Sequence, residues 1–225
     1  MRRIHILVEG QTEETFARDV LGPHLLRSEI VLHSTILSTK RIKAGGKFRG
    51  GVTSYPQVRR EVRNLLQDTG VAAVTTMIDY YGLPDDFPGM PSLPRESSCY
   101  RRVAYLEESF QTDIAHRLFL PYLSLHEFES LLLAVPEEIG KALPGQPSLA
   151  RLVDEVSAFA SPEEVNDGPG THPSERIQSS APGYQKRLHG PVIADRIGLA
   201  TIRARCPHFA AWLRRLEELS ESPLR

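Results

Sequence analysis

The sequence predicts an α/β fold: a largely parallel sheet flanked by helices, with a helical C-terminal extension. Three observations carry this. Strand-like apolar runs alternate with helix-like segments in βαβα order through the first half. Residues 71–80 are rich in apolar and β-branched residues, the pattern of a buried central strand. After Pro136 the alternation gives way to helical segments separated by Pro/Gly-rich sequence.

Element by element, residues 4–8 (Ile-His-Ile-Leu-Val) read as a first strand that stops at Glu9-Gly10. A first helix is predicted over 13–26, with Thr12 as N-cap and Glu13 and Glu14 in a first turn whose dipole favours acids. Residues 30–37 alternate as a second strand. Residues 55–66 are amphipathic, with Val58, Val62, Leu65 and Leu66 on one side and Arg59, Arg60 and Arg63 mostly on another. The central strand over 71–80 is broken at Leu83-Pro84, and 84–94 is a Pro-rich loop. A second amphipathic helix is predicted over 103–116, a fourth strand over 117–125, and the start of a helix over 127–134. Further helices are expected over 149–159 and 207–219, with irregular chain between 162 and 191. The organisation is therefore an α/β domain over 1–136 and a helical extension over 137–225 packed on it.

Of 225 residues, 40% are hydrophobic and 24% charged, with a net charge of −1, as in an ordinary globular protein. A global polycation is excluded, so any contact with nucleic acid must rest on local charge. Cys99 and Cys206 match no zinc or redox spacing. Met1-Arg2-Arg3 leads into an apolar run too short for a secretory leader. No run approaches the roughly twenty apolar residues of a membrane span. These features predict a cytoplasmic protein without membrane contact.

Three acidic clusters stand at the ends of predicted strands. Glu9 and Glu13 flank the first, around Gly10; Asp79 ends the central strand; and His126-Glu127-Phe128-Glu129 follows the fourth. Ligands of open α/β sheets bind at the carboxyl ends of the strands, so these clusters are expected to converge there. Converging carboxylates repel unless a proton or a cation resolves them, and oxygen-loving Mg2+ or Mn2+ is the natural cation. Each cluster also has an ordinary explanation, a helix first turn for Glu13, a turn cap for Asp79 and a helix start for His126 and Glu127, whereas strand ends carry no preference that accounts for Glu9.

A basic stretch contains Lys40, Arg41, Lys43, Lys47, Arg49, Arg59, Arg60 and Arg63 against one acid, Glu61, with Gly45-Gly46 and Gly50-Gly51 inside it. Such a segment can follow a polyanion backbone, its glycines admitting phosphates closely. A third feature pairs Pro173-Ser174-Glu175-Arg176 with Gly183-Tyr184-Gln185-Lys186-Arg187-Leu188-His189-Gly190. There Lys186 is placed to offset charge on a phosphate and His189 to bind or shuttle a proton, against the plainer reading of a basic loop. Cys206-Pro207-His208-Phe209 with Trp212 reads as helix packing.

Val8-Glu9-Gly10-Gln11-Thr12-Glu13 resembles the first motif of Toprim domains, the metal-binding fold of topoisomerases, primases and overcoming-lysogenization-defect nucleases. With Met77-Ile78-Asp79-Tyr80-Tyr81-Gly82-Leu83-Pro84, His126-Glu127-Phe128-Glu129 and Tyr184-Gln185-Lys186-Arg187-Leu188-His189-Gly190, nearly the whole chain resembles the bacterial Toprim-like family labelled domain of unknown function 4276. The resemblance implies a Toprim-like sheet with an acidic edge, Glu9 as the Toprim glutamate and Glu13 as the second acid of the nuclease branch. It implies that Asp79 is the first aspartate of an Asp-x-Asp motif, whose second position is Tyr81 here. Lys186 would match a late lysine of related nucleases. An ATPase partner of the AAA or ABC type in anti-phage defence is a further implication of the family.

The expected activity is metal-dependent hydrolysis of a nucleic-acid phosphodiester, DNA or RNA. Glu9, Glu13 and Asp79 would hold Mg2+ or Mn2+, with Glu127 or Glu129 completing the set. The rival expectation is a non-catalytic module that binds nucleic acid or an ATPase, and a third is transfer chemistry on a nucleotide or small phosphate ester.

Overall fold

The structure, a computed structural model, describes residues 1–37, 52, 54–145, 149–166 and 171–220. Its centre is a parallel sheet of β1 (Arg2–Val8), β2 (Ile30–Ile36), β3 (Val71–Asp79), β4 (Phe119–Leu120) and β5 (Leu123–Ser124). The order is β2-β1-β3-β4, with β5 pairing the end of β3. From β1 the chain steps outward to β2 and then returns to the other side of β1 to lay down β3. The order therefore reverses between β1 and β3, the position at which open α/β sheets place a ligand crevice, at the carboxyl ends of the strands.

Between β1 and β2 runs a helix built of α1 (Gln11–Phe16), a π-helical turn (Ala17–Leu21) and α2 (Gly22–Leu26). Gly22 donates its N–H to the carbonyl of Ala17, five residues back. The wider turn falls one residue before Pro23, which has no N–H and would crowd a carbonyl of a regular α-helix. On the opposite face lie α3 (Tyr55–Leu65) and α4 (Cys99–Ile114), whose Val58, Val62, Leu106 and Phe110 pack with Leu7, Val74 and Ile78 of the sheet. Both faces are thus covered, which is why β3 is buried along almost its whole length.

Four expectations need correction. α4 begins at Cys99, because Ser98 supplies an N-cap: its Oγ accepts the Arg101 N–H. The predicted fourth strand is two short pieces, since Pro121 carries no N–H for a ladder. Threonine side chains bridge the gap: Thr76 Oγ1 donates to the Tyr122 carbonyl at 2.8 Å and accepts its N–H at 3.0 Å, while Thr75 Oγ1 donates to the Leu120 carbonyl. The segment after it is a 3-10 helix, Phe128–Ala134, buried at every residue.

The largest correction concerns 162–191. That region holds α7 (Pro173–Ser180) and the start of α8 (Lys186–Ile197), after α5 (Glu137–Ala142) and α6 (Leu149–Ser157). Pro191 and Gly190 lie inside α8 and are buried, so packing overrides their helix-breaking tendency. A Cβ at Gly190 would stand 3.2 Å from both Phe128 and Thr12, so a larger residue would require those neighbours to shift by a few tenths of an ångström. α9 (Leu199–Arg205) and α10 (Pro207–Glu217) complete the chain. One core cluster joins Ile4, Ile6 and Val8 of β1, Phe16, Leu131–Leu133, Ile193 of α8 and Phe209 and Leu213 of α10. The C-terminal helices are a layer of the sheet domain and share its core. Among the described residues, no helix is long and apolar enough to cross a membrane.

Candidate functional site

The crevice between β1 and β3 holds the acids. Glu9 follows the last residue of β1 and continues its ladder, donating its N–H to the Met77 carbonyl. Gly10 is extended and precedes α1, and Glu13 in the first turn folds back towards it. A Cβ on Gly10 would sit 3.2 Å from Glu13 Oε2, so the glycine makes room for that carboxylate. From the neighbouring strand, the Asp79 N–H donates to Glu9 Oε2 at 3.1 Å. The two strand ends are clasped through the Glu9 side chain.

Asp79 is held on three sides. Its N–H is spent on Glu9, its Oδ1 accepts the Phe128 N–H at 2.9 Å, and its Oδ2 accepts from Lys186 Nζ at 3.1 Å. The loop after β5 that delivers Phe128 turns through His126, whose φ of 64° is left-handed. The His126 carbonyl accepts the Tyr81 N–H, which ties this turn to the chain leaving β3.

That turn separates Glu127 from Glu129. Glu127 faces α7, where Oε2 accepts the Ser174 N–H at 2.9 Å and Oε1 the Ser174 hydroxyl at 3.0 Å. A carboxylate at a helix N-terminus satisfies orphan donors and complements the dipole. Glu129 is wholly buried, with Oε1 accepting the Tyr184 hydroxyl at 3.3 Å and Oε2 lying 3.1 Å from Lys186 Nζ. Direct contact with the cluster's cation therefore falls to Glu129, not to Glu127.

Lys186 is the first residue of α8, and its ammonium occupies the middle of the cluster. Nζ lies 3.2 Å from Glu13 Oε1, 3.1 Å from Asp79 Oδ2 and 3.1 Å from Glu129 Oε2, and 6.0 Å from the centre of the Phe128 ring. Only the Asp79 contact is a hydrogen bond of good geometry. Glu13 Oε1 and Glu129 Oε2 are buried and receive none.

One ammonium faces more negative charge than it neutralises, and the acids respond. Burial, with Glu13 adjacent, pushes the Glu9 carboxyl up to about 7. Burial likewise lifts Asp79 well above the carboxylate range, despite Lys186, and lifts Glu129. For Lys186, burial alone would favour the neutral amine, but Asp79, Glu129, Glu13 and Glu9 outweigh it and hold the ammonium charged.

Other sequence candidates lie outside the cluster. His189 accepts the Gln185 N–H on Nδ1 and so secures the start of α8. Tyr81 is half-exposed, its ring centre 3.7 Å from that of His172. Arg59, Arg60 and Arg63 line a groove with Tyr55, Pro56 and Asn64 on α3, where Arg59 pairs with Asp113 and Arg60 with Glu61. Lys40, Arg41, Lys43, Lys47 and Arg49 lie outside the described residues. Cys206 is buried and Trp212 stacks on Tyr122 at 4.3 Å, as packing residues do. Sequence reasoning overlooked the role of Ser174 in fixing Glu127 and of Tyr184 in holding Glu129, although both stood in segments that drew attention.

The acids of the cluster offer only carboxylate oxygens as possible metal ligands. Among the described residues, no three Asp, Glu, His or Cys side chains are set to hold a metal ion as they stand, and the Lys186 ammonium lies among the acids. The donor chemistry nevertheless fits a hard divalent cation: three buried carboxylates, two of them with oxygens that lack a hydrogen bond.

Among curated proteins and among solved structures, none matches this chain. A family model described as domain of unknown function 4276 matches residues 8–217. That match begins at the end of β1, ends with α10 and includes every side chain of the acidic cluster, and on it the chain belongs to the domain of unknown function 4276 family.

Proposed function

We propose that this protein is a Toprim-like, metal-dependent phosphodiesterase acting on nucleic acid. The observation that carries the reading is the placement of Glu9, Glu13, Asp79 and Glu129 around one cation position at the carboxyl ends of β1 and β3. Mg2+ or Mn2+ held by Glu13, Asp79 and Glu129, with Glu9 beside them, would supply Lewis acidity and a more acidic water. The chain's own residues then have separate tasks. Phe128 N–H and Glu9 fix Asp79, Tyr184 fixes Glu129, and Lys186, whose ammonium lies among the acids, would offset negative charge on a phosphate brought to them. Glu9, raised to about 7 by burial and Glu13 when no ion is bound, would be held as a carboxylate by a divalent cation and add its charge beside the ligands. Arg59, Arg60 and Arg63 offer a surface for backbone phosphates away from the acids. The family resemblance makes an ATPase partner and a part in anti-phage defence components of the same proposal.

Supercoiled plasmid and end-labelled RNA, incubated with Mg2+, Mn2+ or chelator, test this. Wild type should yield metal-dependent products and Glu9→Ala none, with both proteins equally folded. Undiminished cleavage by Glu9→Ala would remove the assignment.

The second reading is a module that binds nucleic acid or an ATPase without cutting. It is favoured by Tyr81 at the position of the second aspartate and by Lys186 already serving as a counter-cation. Such a module would bind equally well in chelator and leave both substrates intact.

A further inference from the structure

We infer that Lys186 is a tethered cation that competes with a divalent metal ion for Glu13, Asp79 and Glu129, and that metal binding drives its ammonium outward. The inference rests on the divalent-cation part of the function proposed above.

Geometry is the first argument. Nζ stands within 3.1–3.2 Å of all three carboxylates, so it fills the position equidistant from them. An ammonium and a divalent ion cannot share that position, because like charges a few ångströms apart in a buried site repel strongly. One of the two must leave.

Bonding is the second argument. The ammonium carries three tetrahedrally disposed protons that turn together about the Cε–Nζ bond, so it cannot aim one at each of three oxygens independently, and its hydrogen bond of good geometry goes to Asp79. Glu13 Oε1 and Glu129 Oε2, both buried, receive charge but no proton. A metal ion has no directional protons and accepts oxygens wherever they lie within its shell. Lys186 is therefore an imperfect occupant that a better one can displace.

Mobility is the third. The carboxylates belong to wholly or almost wholly buried side chains, whereas that of Lys186 is 33% exposed. The lysine also sits at the first position of α8, on a flexible four-carbon stem. Rotation of that stem suffices to free the position without unwinding the helix. A released ammonium then stands at the mouth of the crevice, so cation binding and presentation of positive charge to an incoming anion become one event.

Mn2+ binding to the full chain, followed through the free-ion electron paramagnetic resonance signal, tests the competition directly. Lys186→Met should bind Mn2+ at least about tenfold more tightly than wild type, a change equivalent to removal of one modest ionic contact. Equal or weaker binding by the variant overturns the inference. A measurement on wild type guards against a variant that does not fold: acetylation of Lys186 by acetic anhydride, read by mass spectrometry. It should be slow in chelator and several-fold faster at saturating Mn2+, with exposed Lys141 as an internal reference. Unchanged labelling of Lys186 at saturation also overturns it. If neither protein binds Mn2+, the metal-dependent reading falls as well; if both bind equally, that reading stands and only the competition is lost.

Discussion

Lys186 Nζ lies 3.1 Å from Asp79 Oδ2, although 107 positions separate the two residues. The contact joins the carboxyl end of the central strand to the first residue of a helix near the far end of the chain. It makes the C-terminal layer a component of the site, since α8 supplies the ammonium that contacts the acids of the sheet edge.

Removing that charge has a predictable cost. In chelator, Lys186→Met leaves Glu13, Asp79 and Glu129 buried without a counter-ion, which destabilises strongly when the ion lost is fully buried. Lys186 is a third exposed, so the loss is reduced to on the order of 2 kcal/mol. Urea denaturation in chelator measures it, and a stability equal to wild type would show that the ion pairs contribute nothing.

The opposite substitution has the opposite sign. Glu129→Gln keeps shape and volume while removing one negative charge from a cluster already in excess, and leaves Tyr184 an oxygen to donate to. Burial already favours the protonated form of Glu129, so in chelator the glutamine should be neutral or stabilising by about 1 kcal/mol. Mn2+ affinity should fall at the same time. A variant that loses stability and keeps its affinity for the ion would contradict the placement of Glu129.

Glu127 separates from Glu129 by the same logic. Glu127→Gln should barely alter Mn2+ binding, whereas Ser174→Ala should cost about 1 kcal/mol of stability through loss of the hydroxyl bond to Glu127. Parallel isotherms for Glu127→Gln and Glu129→Gln decide the matter. A larger effect at Glu127 would return it to the cation site.

Much of this site was legible because the relevant signal is local. Glu9 and Asp79 each end an apolar run, and a parallel sheet brings such ends to one edge. The choice between Glu127 and Glu129 was not legible, because it depends on the left-handed turn at His126 and on a 3-10 helix where an α-helix was expected. Nor was α8: Gly190 and Pro191 read as breakers, yet both are buried within the helix, Gly190 against Phe128 and Thr12. Tertiary contact decided what propensity alone read wrongly.

Thr76 carries a prediction about the broken fourth strand. Its hydroxyl both donates to the Tyr122 carbonyl and accepts the Tyr122 N–H, in a buried position. Thr76→Val is nearly isosteric and keeps β-branching, so packing and strand preference are preserved. What it loses is both partners of a buried peptide unit, at about 2–4 kcal/mol by the cost of leaving each group unsatisfied. The melting temperature should drop accordingly. Thr76→Ser, which retains the hydroxyl, should recover most of the loss, and equal loss in the two variants would point to packing instead.

His208 sets a pH dependence remote from the acidic crevice. Its Nε2 lies 3.1 Å from Glu107 Oε1 and 3.2 Å from the Leu123 carbonyl, its ring stacks on Tyr122, and its own N–H donates to Glu163. Burial by itself would favour the neutral ring, but the bond and charge of Glu107, with Glu163 behind it, raise the pKa above 6.5. The folded protein therefore holds this proton more tightly than the unfolded chain does. The resulting stabilisation is complete below 6.5 and is lost as pH rises through the raised value. Denaturation of wild type and His208→Gln across that window should show a stability difference that shrinks as pH rises. Glu107→Gln should bring the His208 titration, followed by NMR of the ring proton, down towards or below the ordinary histidine value. A difference that stays constant across the window would mean that His208 is neutral in the fold and acts through its hydrogen bond to Leu123 alone.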